Sequence, residues 1–399
     1  MSSSKRLPGV DGLRAVAALW VVLFHMTAFS HAQFPQIPGL DLFLKSGSTG
    51  VSLFLVLSGF CLFLPFAGGR TARFKVGEFF RRRSKRLMPA YYVALLLALA
   101  LAFVSPAVLG VPQLTLGEAA WQMATHLTLM HTLFPDTFYS LNGAFWSLGL
   151  EWQLYLALPL LVWLTSRFGL LSALGLAVAV NMAYRLGLGL AMSSGVLDAN
   201  GLLAIAVFPN QLPGRWAEFA FGMLAADLYA SGRLERWARF VPAMLVAMVA
   251  LIPTSFLAAR FELAHIVYGL LFFTLLCVVI ASDNRVARLL AWRPLVALGT
   301  MSYSLYLVHQ PVIQFLATWL ELYRPDLSPT LVFVALVLSF PLILLLAWTL
   351  FLTVERRTLG GAGNTLVPRI AFPMFSTGQT APAIIAPESP RRPATAPRP

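Results

Sequence analysis

Charge is what this chain has least of. Only 11% of its 399 residues are Asp, Glu, Lys or Arg, against about 25% in soluble domains. Acids are the scarcer sign, with 16 against 29 bases. Cysteine is nearly missing: Cys61 and Cys277 both fall inside apolar segments, so neither a disulfide framework nor a cysteine metal site is expected. There is no phosphate-cradling glycine loop, no His-Glu-x-x-His and no Gly-x-Ser-x-Gly, which sets aside three common chemistries. His31, His126 and His131 fall on one expected side, but their spacing matches no ligand motif and no metal is expected. Leu57-Ser58-Gly59-Phe60 offers a serine without a nucleophile elbow and reads as a close-packing contact.

What the chain has is hydrophobicity: 58% apolar residues and a mean hydropathy of +0.76. The fold class this implies is all-α, a polytopic transmembrane helical bundle of about ten spans. The windows lie near 13–30, 49–66, 89–109, 145–165, 168–190, 213–230, 240–258, 262–281, 297–320 and 330–354. The window at 213–230 is the weakest, because it carries Arg215, Glu218 and Asp227. Residues 118–133 are semi-apolar and suit an interfacial helix. With both termini cytoplasmic, 24 of the 29 Lys and Arg residues fall inside, as the positive-inside rule requires. Lys45, Arg185, Arg215, Arg260 and Arg324 remain for the outer side or edge. The net charge of +13 is thereby explained by topology; membrane lipid is an expected partner and nucleic acid is not. After Arg357 the composition turns to Gly, Pro, Ala, Thr and Ser, so residues 1–357 read as a membrane domain and 358–399 as a disordered cytoplasmic tail.

Chemistry in such a chain resides in its intramembrane polar groups. Arg14 and His25 are eleven residues apart, so they share one helix face, about 16 Å apart along the axis. His25 reads either as a helix-packing histidine or as a functional one, and Arg14 either as its companion or as an interfacial anchor. Glu151 lies about 12 Å below the outer surface if its span begins near Gly143. His25 lies at about the same depth, so the two are expected to pair, either for acid–base work or as a lock between helices. Arg81-Arg82-Arg83-Ser84-Lys85-Arg86 reads as a topology determinant on anionic lipid, or as a dock for a phosphorylated ligand. Ser302, Tyr306 and His309 fall on neighbouring faces and could line a polar cavity. Arg215 and Glu218 are three apart and suit a local pair. His265 reads as core.

Taken together, these segments resemble the acyltransferase 3 family of integral-membrane O-acyltransferases over about residues 7–357. The likeness rests on Gly9-Val10-Asp11-Gly12-Leu13-Arg14 with His25, Gly50-Val51-Ser52-Leu53-Phe54, and Arg83-x-x-Arg86. It continues through Trp146-Ser147-Leu148-x-x-Glu151-Trp152-Gln153, Ser302-Tyr303-Ser304-Leu305-Tyr306-Leu307-x-His309 and Val354-Glu355-Arg356. It implies a multi-pass protein of the bacterial cytoplasmic membrane. Such a protein moves an acyl group, often acetyl, from cytoplasmic acyl-CoA to a hydroxyl of an extracytoplasmic or membrane-held acceptor. No cofactor is permanently bound. Family acceptors include surface polysaccharides, glycolipid sugars, peptidoglycan and macrolide-like small molecules. A carbohydrate or glycolipid acceptor is the leading expectation; with only a Pro-rich tail after Arg357, a membrane domain acting alone is expected and peptidoglycan is disfavoured.

By position, the resemblance makes Arg14 and His25 the catalytic pair, which Glu151 would support. Arg83 and Arg86, with Arg82 and Lys85 beside them, fall to the acyl-CoA side. Ser302, Tyr303, Tyr306, His309 and Arg215 are assigned to the cavity lining. Transfer would use His25 as a general base or pass through a covalent acyl-histidine. The competing class is a proton-coupled transporter or flippase using the same His, Glu and Arg residues, although no internal repeat supports it. A non-catalytic scaffold is the third.

Overall fold

The computed structural model of the chain describes residues 7–37, 39–68, 74–104, 114–259 and 263–358, and among these it is helical with no strand. The long helices are α1 (Pro8–Ser30), α2 (Gly50–Phe63), α3 (Val76–Val104), α4 (Leu116–Leu127), α5 (Trp146–Phe168) and α6 (Leu170–Ser193). They continue with α7 (Leu212–Ala230), α8 (Val241–Ala259), α9 (Ala264–Ala281), α10 (Arg293–Thr300), α11 (Ser302–Tyr323), α12 (Pro329–Leu338) and α13 (Phe340–Leu350). Helices form at all ten apolar windows. Among the described residues seven segments, including the continuous Pro329–Thr358, are long and apolar enough to cross a membrane. Arg70, Arg73, Arg260 and the tail from residue 359 lie outside the described residues.

Two glycine contacts set the packing of the centre. A Cβ on Gly59 of α2 would lie 2.0 Å from the Phe219 carbonyl, and one on Gly222 of α7 would lie 2.0 Å from that of Val56. The pair lets the α2 and α7 backbones touch, which is how helices gain contact where lipid supplies no hydrophobic drive. Gly12 and Gly299 do the same for α1, against Leu290 and Asp11. α1 therefore runs through the middle of the bundle, against α2, α10, α11 and α12. Large apolar side chains cover the outer faces instead, including Leu156, Leu160 and Trp163 on α5 and Leu331, Leu338 and Leu345 on α12 and α13. These faces suit lipid contact.

Prolines leave backbone carbonyls without partners, and side chains from elsewhere satisfy them. Pro311 in α11 has no N–H for the Leu307 carbonyl, and Asn142 Nδ2 donates to it at 2.9 Å. The Pro209 carbonyl, just before α7, accepts from Arg185 Nη2 at 2.7 Å. Arg185 also donates to the Gly214 carbonyl and is only 2% exposed. It is a buried clamp, although its charge suggested the outer edge.

Candidate active site

The polar residues gather around two cavities. The first, of about 80 Å³, is lined by Arg14, Arg83, Arg86, Glu151, Tyr155 and Tyr303 among others. It brings residues from α1, α3, α5 and α11 together. Glu151 accepts from Tyr155 OH at 2.5 Å and Ser58 Oγ at 3.1 Å. Tyr303 OH donates to the Leu87 carbonyl at 2.9 Å and so ties α11 to the arginine helix. Ser302 also lines this space. Arg82 and Lys85 do not. Both are exposed, and Arg82 pairs with Glu78 at 2.9 Å. Helical spacing separates the two pairs: Arg83 and Arg86 share the inward face, while Arg82 and Lys85 share the outward one.

The second cavity, of about 730 Å³, is lined by His25, Trp146, Arg185, Arg215, His265 and Gln310 among others. His25 Nδ1 is 2.9 Å from the Val21 carbonyl, which can only accept, so the proton sits on Nδ1. His309 Nδ1 likewise donates to the Tyr306 carbonyl at 2.8 Å, and its Nε2 lies 3.3 Å from His25 Nδ1. The His309 lone pair thus faces the His25 N–H, and the Nε2 lone pair of His25 is left as a base in the cavity wall. His309 itself is fully buried and lies behind His25, not in the lining as expected.

The expected His25–Glu151 pair does not form; Glu151 lines the arginine cavity and His25 the other. The apolar segment does begin at Gly143, so the entry point is not what fails. Glu151 is instead held by Tyr155 and Ser58, while His25 is held by the Val21 carbonyl and His309. The serine of Leu57-Ser58-Gly59 was read as packing alone; it also holds Glu151. His265, expected in the core, is 27% exposed and lines the histidine cavity, with Nδ1 3.8 Å from Glu218. Arg215 does pair with Glu218, at 2.6 Å, and also donates to Asn210 at 2.8 Å and Ser52 at 3.1 Å.

The two cavities share Val51 and Tyr306 as walls. The Tyr306 hydroxyl is 2.7 Å from Ser147 Oγ, one helical turn before Glu151. No group of three or more metal-ligating side chains occurs among the described residues. The arrangement is an arginine-lined cavity and a histidine-lined cavity that meet at Val51 and Tyr306. Such a pair of spaces can bring two reactants together from different directions.

A family model described as an acyltransferase domain matches residues 7–351. Among curated relatives, O-acetyltransferase OatA of Staphylococcus aureus is 24% identical over 350 residues, covering 80% of this chain and 52% of that protein. Peptidoglycan O-acetyltransferase OatA of Listeria monocytogenes is 26% identical over 352 residues, covering 82% and 52%. The putative peptidoglycan O-acetyltransferase YrhL of Bacillus subtilis is 26% identical over 354 residues, covering 77% and 48%. The chain spans about half the length of these curated relatives. No solved structure matches it. With the family match running from the start of α1 into the last apolar helix, this multi-pass membrane protein belongs to the acyltransferase 3 family.

Proposed function

We propose that the protein is a membrane O-acyltransferase that moves an acyl group, acetyl in the first instance, from cytoplasmic acyl-CoA to a hydroxyl of a surface carbohydrate. The observation that carries this reading is the pair of cavities meeting at Tyr306. Arg14, Arg83 and Arg86 face one space, where guanidinium groups suit phosphate oxygens of the donor. His25 faces the other with Nε2 available. In the reaction, His25 Nε2 takes the proton of the acceptor hydroxyl as its oxygen attacks the thioester carbonyl. The C–S bond breaks, the ester forms, and the CoA thiolate leaves and is reprotonated from the imidazolium. His309 and the Val21 carbonyl hold the imidazole in the required tautomer.

The relatives' names bring peptidoglycan back among the acceptors, beside other surface glycans. Both termini are placed in the cytoplasm on the count of positive charge. The test is transfer of radiolabelled acetyl from acetyl-CoA to glycan by purified protein in liposomes. His25→Ala transferring as well as wild type would overturn the reading. Uptake of a solute with no dependence on acyl-CoA would favour a transporter instead.

A further inference from the structure

We propose that His265, held against Glu218, recognises a second hydroxyl of a polyhydroxylated acceptor, on a stretch of the histidine cavity wall separate from His25. This rests on the acyltransferase reading and adds to it a residue that recognises the acceptor.

The carboxylate–histidine pair expected at Glu151 and His25 occurs here instead. Glu218 is 1% exposed, and Arg215 grips both its oxygens, Nε to Oε2 at 2.6 Å and Nη2 to Oε1 at 3.1 Å. Arg215 is fixed in turn by Asn210 and Ser52. The carboxylate is therefore immobile before the histidine is considered. His265 presents Nδ1 to it at 3.8 Å, buried and with no hydrogen-bond partner among the described residues. That distance is too long for a hydrogen bond, but the carboxylate's field favours the proton on Nδ1. Nε2 is then a lone-pair acceptor on a side chain that is 27% exposed and lines the same cavity as His25.

The surroundings fit a sugar ring. The Tyr268 ring lies 5.7 Å from that of His265. Trp146 lies under the Arg215 guanidinium at 5.9 Å, and both Trp146 and Tyr268 line the cavity. Gln310 contributes a buried amide oxygen with no partner among the described residues. Aromatic faces meet the C–H faces of a pyranose, while the His265 imidazole meets a hydroxyl. An acceptor with one hydroxyl would need His25 alone. The additional polar wall suits a ligand with several.

The experiment compares wild type, His265→Ala and His265→Gln with two acceptors, a tetramer of N-acetylglucosamine and propanol, using acetyl-CoA as donor. His265→Ala is expected to raise KM for the tetramer about 10-fold or more, the loss of one buried hydrogen bond. KM for acetyl-CoA and transfer to propanol stay at wild-type values, and His265→Gln recovers part of the loss. Melting in detergent establishes that the variants are folded. A tetramer KM within twofold of wild type overturns the proposal, as does an equal loss on both acceptors. A wild type that acylates neither acceptor overturns the acyltransferase reading and this proposal together.

Discussion

At the scale of single residues, His25 owes its basic nitrogen to an ordinary helical contact. The Val21 carbonyl one turn earlier takes the Nδ1 proton, and His309 reinforces that choice from α11. His25→Ala is expected to lower kcat by about 10²–10⁴, the usual contribution of a positioned base. His309→Leu removes only an orienting contact, and a loss nearer tenfold, about 1.4 kcal/mol, is expected in the same assay. The arginines separate in another way. Arg83→Ala and Arg86→Ala are each expected to raise KM for acyl-CoA about 10- to 100-fold, as lost charge-assisted bonds do. Arg82→Ala and Lys85→Ala should leave it within twofold, since their side chains face outwards. Two more histidines report on stability. His126 and His131, between α3 and α5 and outside the membrane-spanning helices, stack at 4.2 Å with both rings buried. Burial lowers His126 to about 4; burial, with its neighbour, lowers His131 to about 3. Unfolded, each ring binds its proton near pH 6.5. Their contribution is therefore complete above that pH and is lost as pH falls towards the folded values, by about 1.4 kcal/mol per pH unit per ring. The melting temperature in detergent should fall between pH 6.5 and 4, and His126→Phe with His131→Phe should flatten the fall.

At the scale of elements, the bundle depends on backbones that touch. Gly222→Leu places a side chain where the Val56 carbonyl lies 2.0 Å from the Cβ position. Overpacking of this kind costs about 1–3 kcal/mol, more where backbone must move, so a marked drop in melting temperature is expected. The same substitution at Gly175, which faces open space, should leave melting unchanged. Much of this level was legible beforehand, because helix length and apolar composition follow directly from membrane thickness, and helices form at each of the ten windows. Ser58-Gly59 was legible as a contact too. That Glu151 and His25 face different cavities was not. It depends on which helix faces meet, set by contacts such as that of Asn142 with a carbonyl freed by Pro311, 165 residues away in the chain. No periodicity encodes such a contact. His265 was missed for a related reason: a lone histidine near an apolar run resembles core, and only the fold sets it beside Glu218.

For the whole molecule, the arrangement of the two cavities matters more than either alone. Arg14 and His25 share α1 yet face different spaces, so one helix carries a residue for each reactant. Tyr306 stands between, bonded to Ser147. If it separates the donor from water in the acceptor space, Tyr306→Ala should hydrolyse acyl-CoA in the absence of acceptor several-fold faster than wild type. Free thiol released without ester formed would measure this; an unchanged rate would assign the separation to other residues. Accessibility labelling of cysteines placed at Lys45 and Arg81 checks the proposed sidedness, with only the first reached from outside.

The thin wall at Val51 and Tyr306 has a further consequence. Here two cavities meet inside the bundle, with these two side chains in the lining of both. Phe54 and Leu148 pack against this group, and substitutions that loosen them should show first as a proton leak across vesicles carrying the protein.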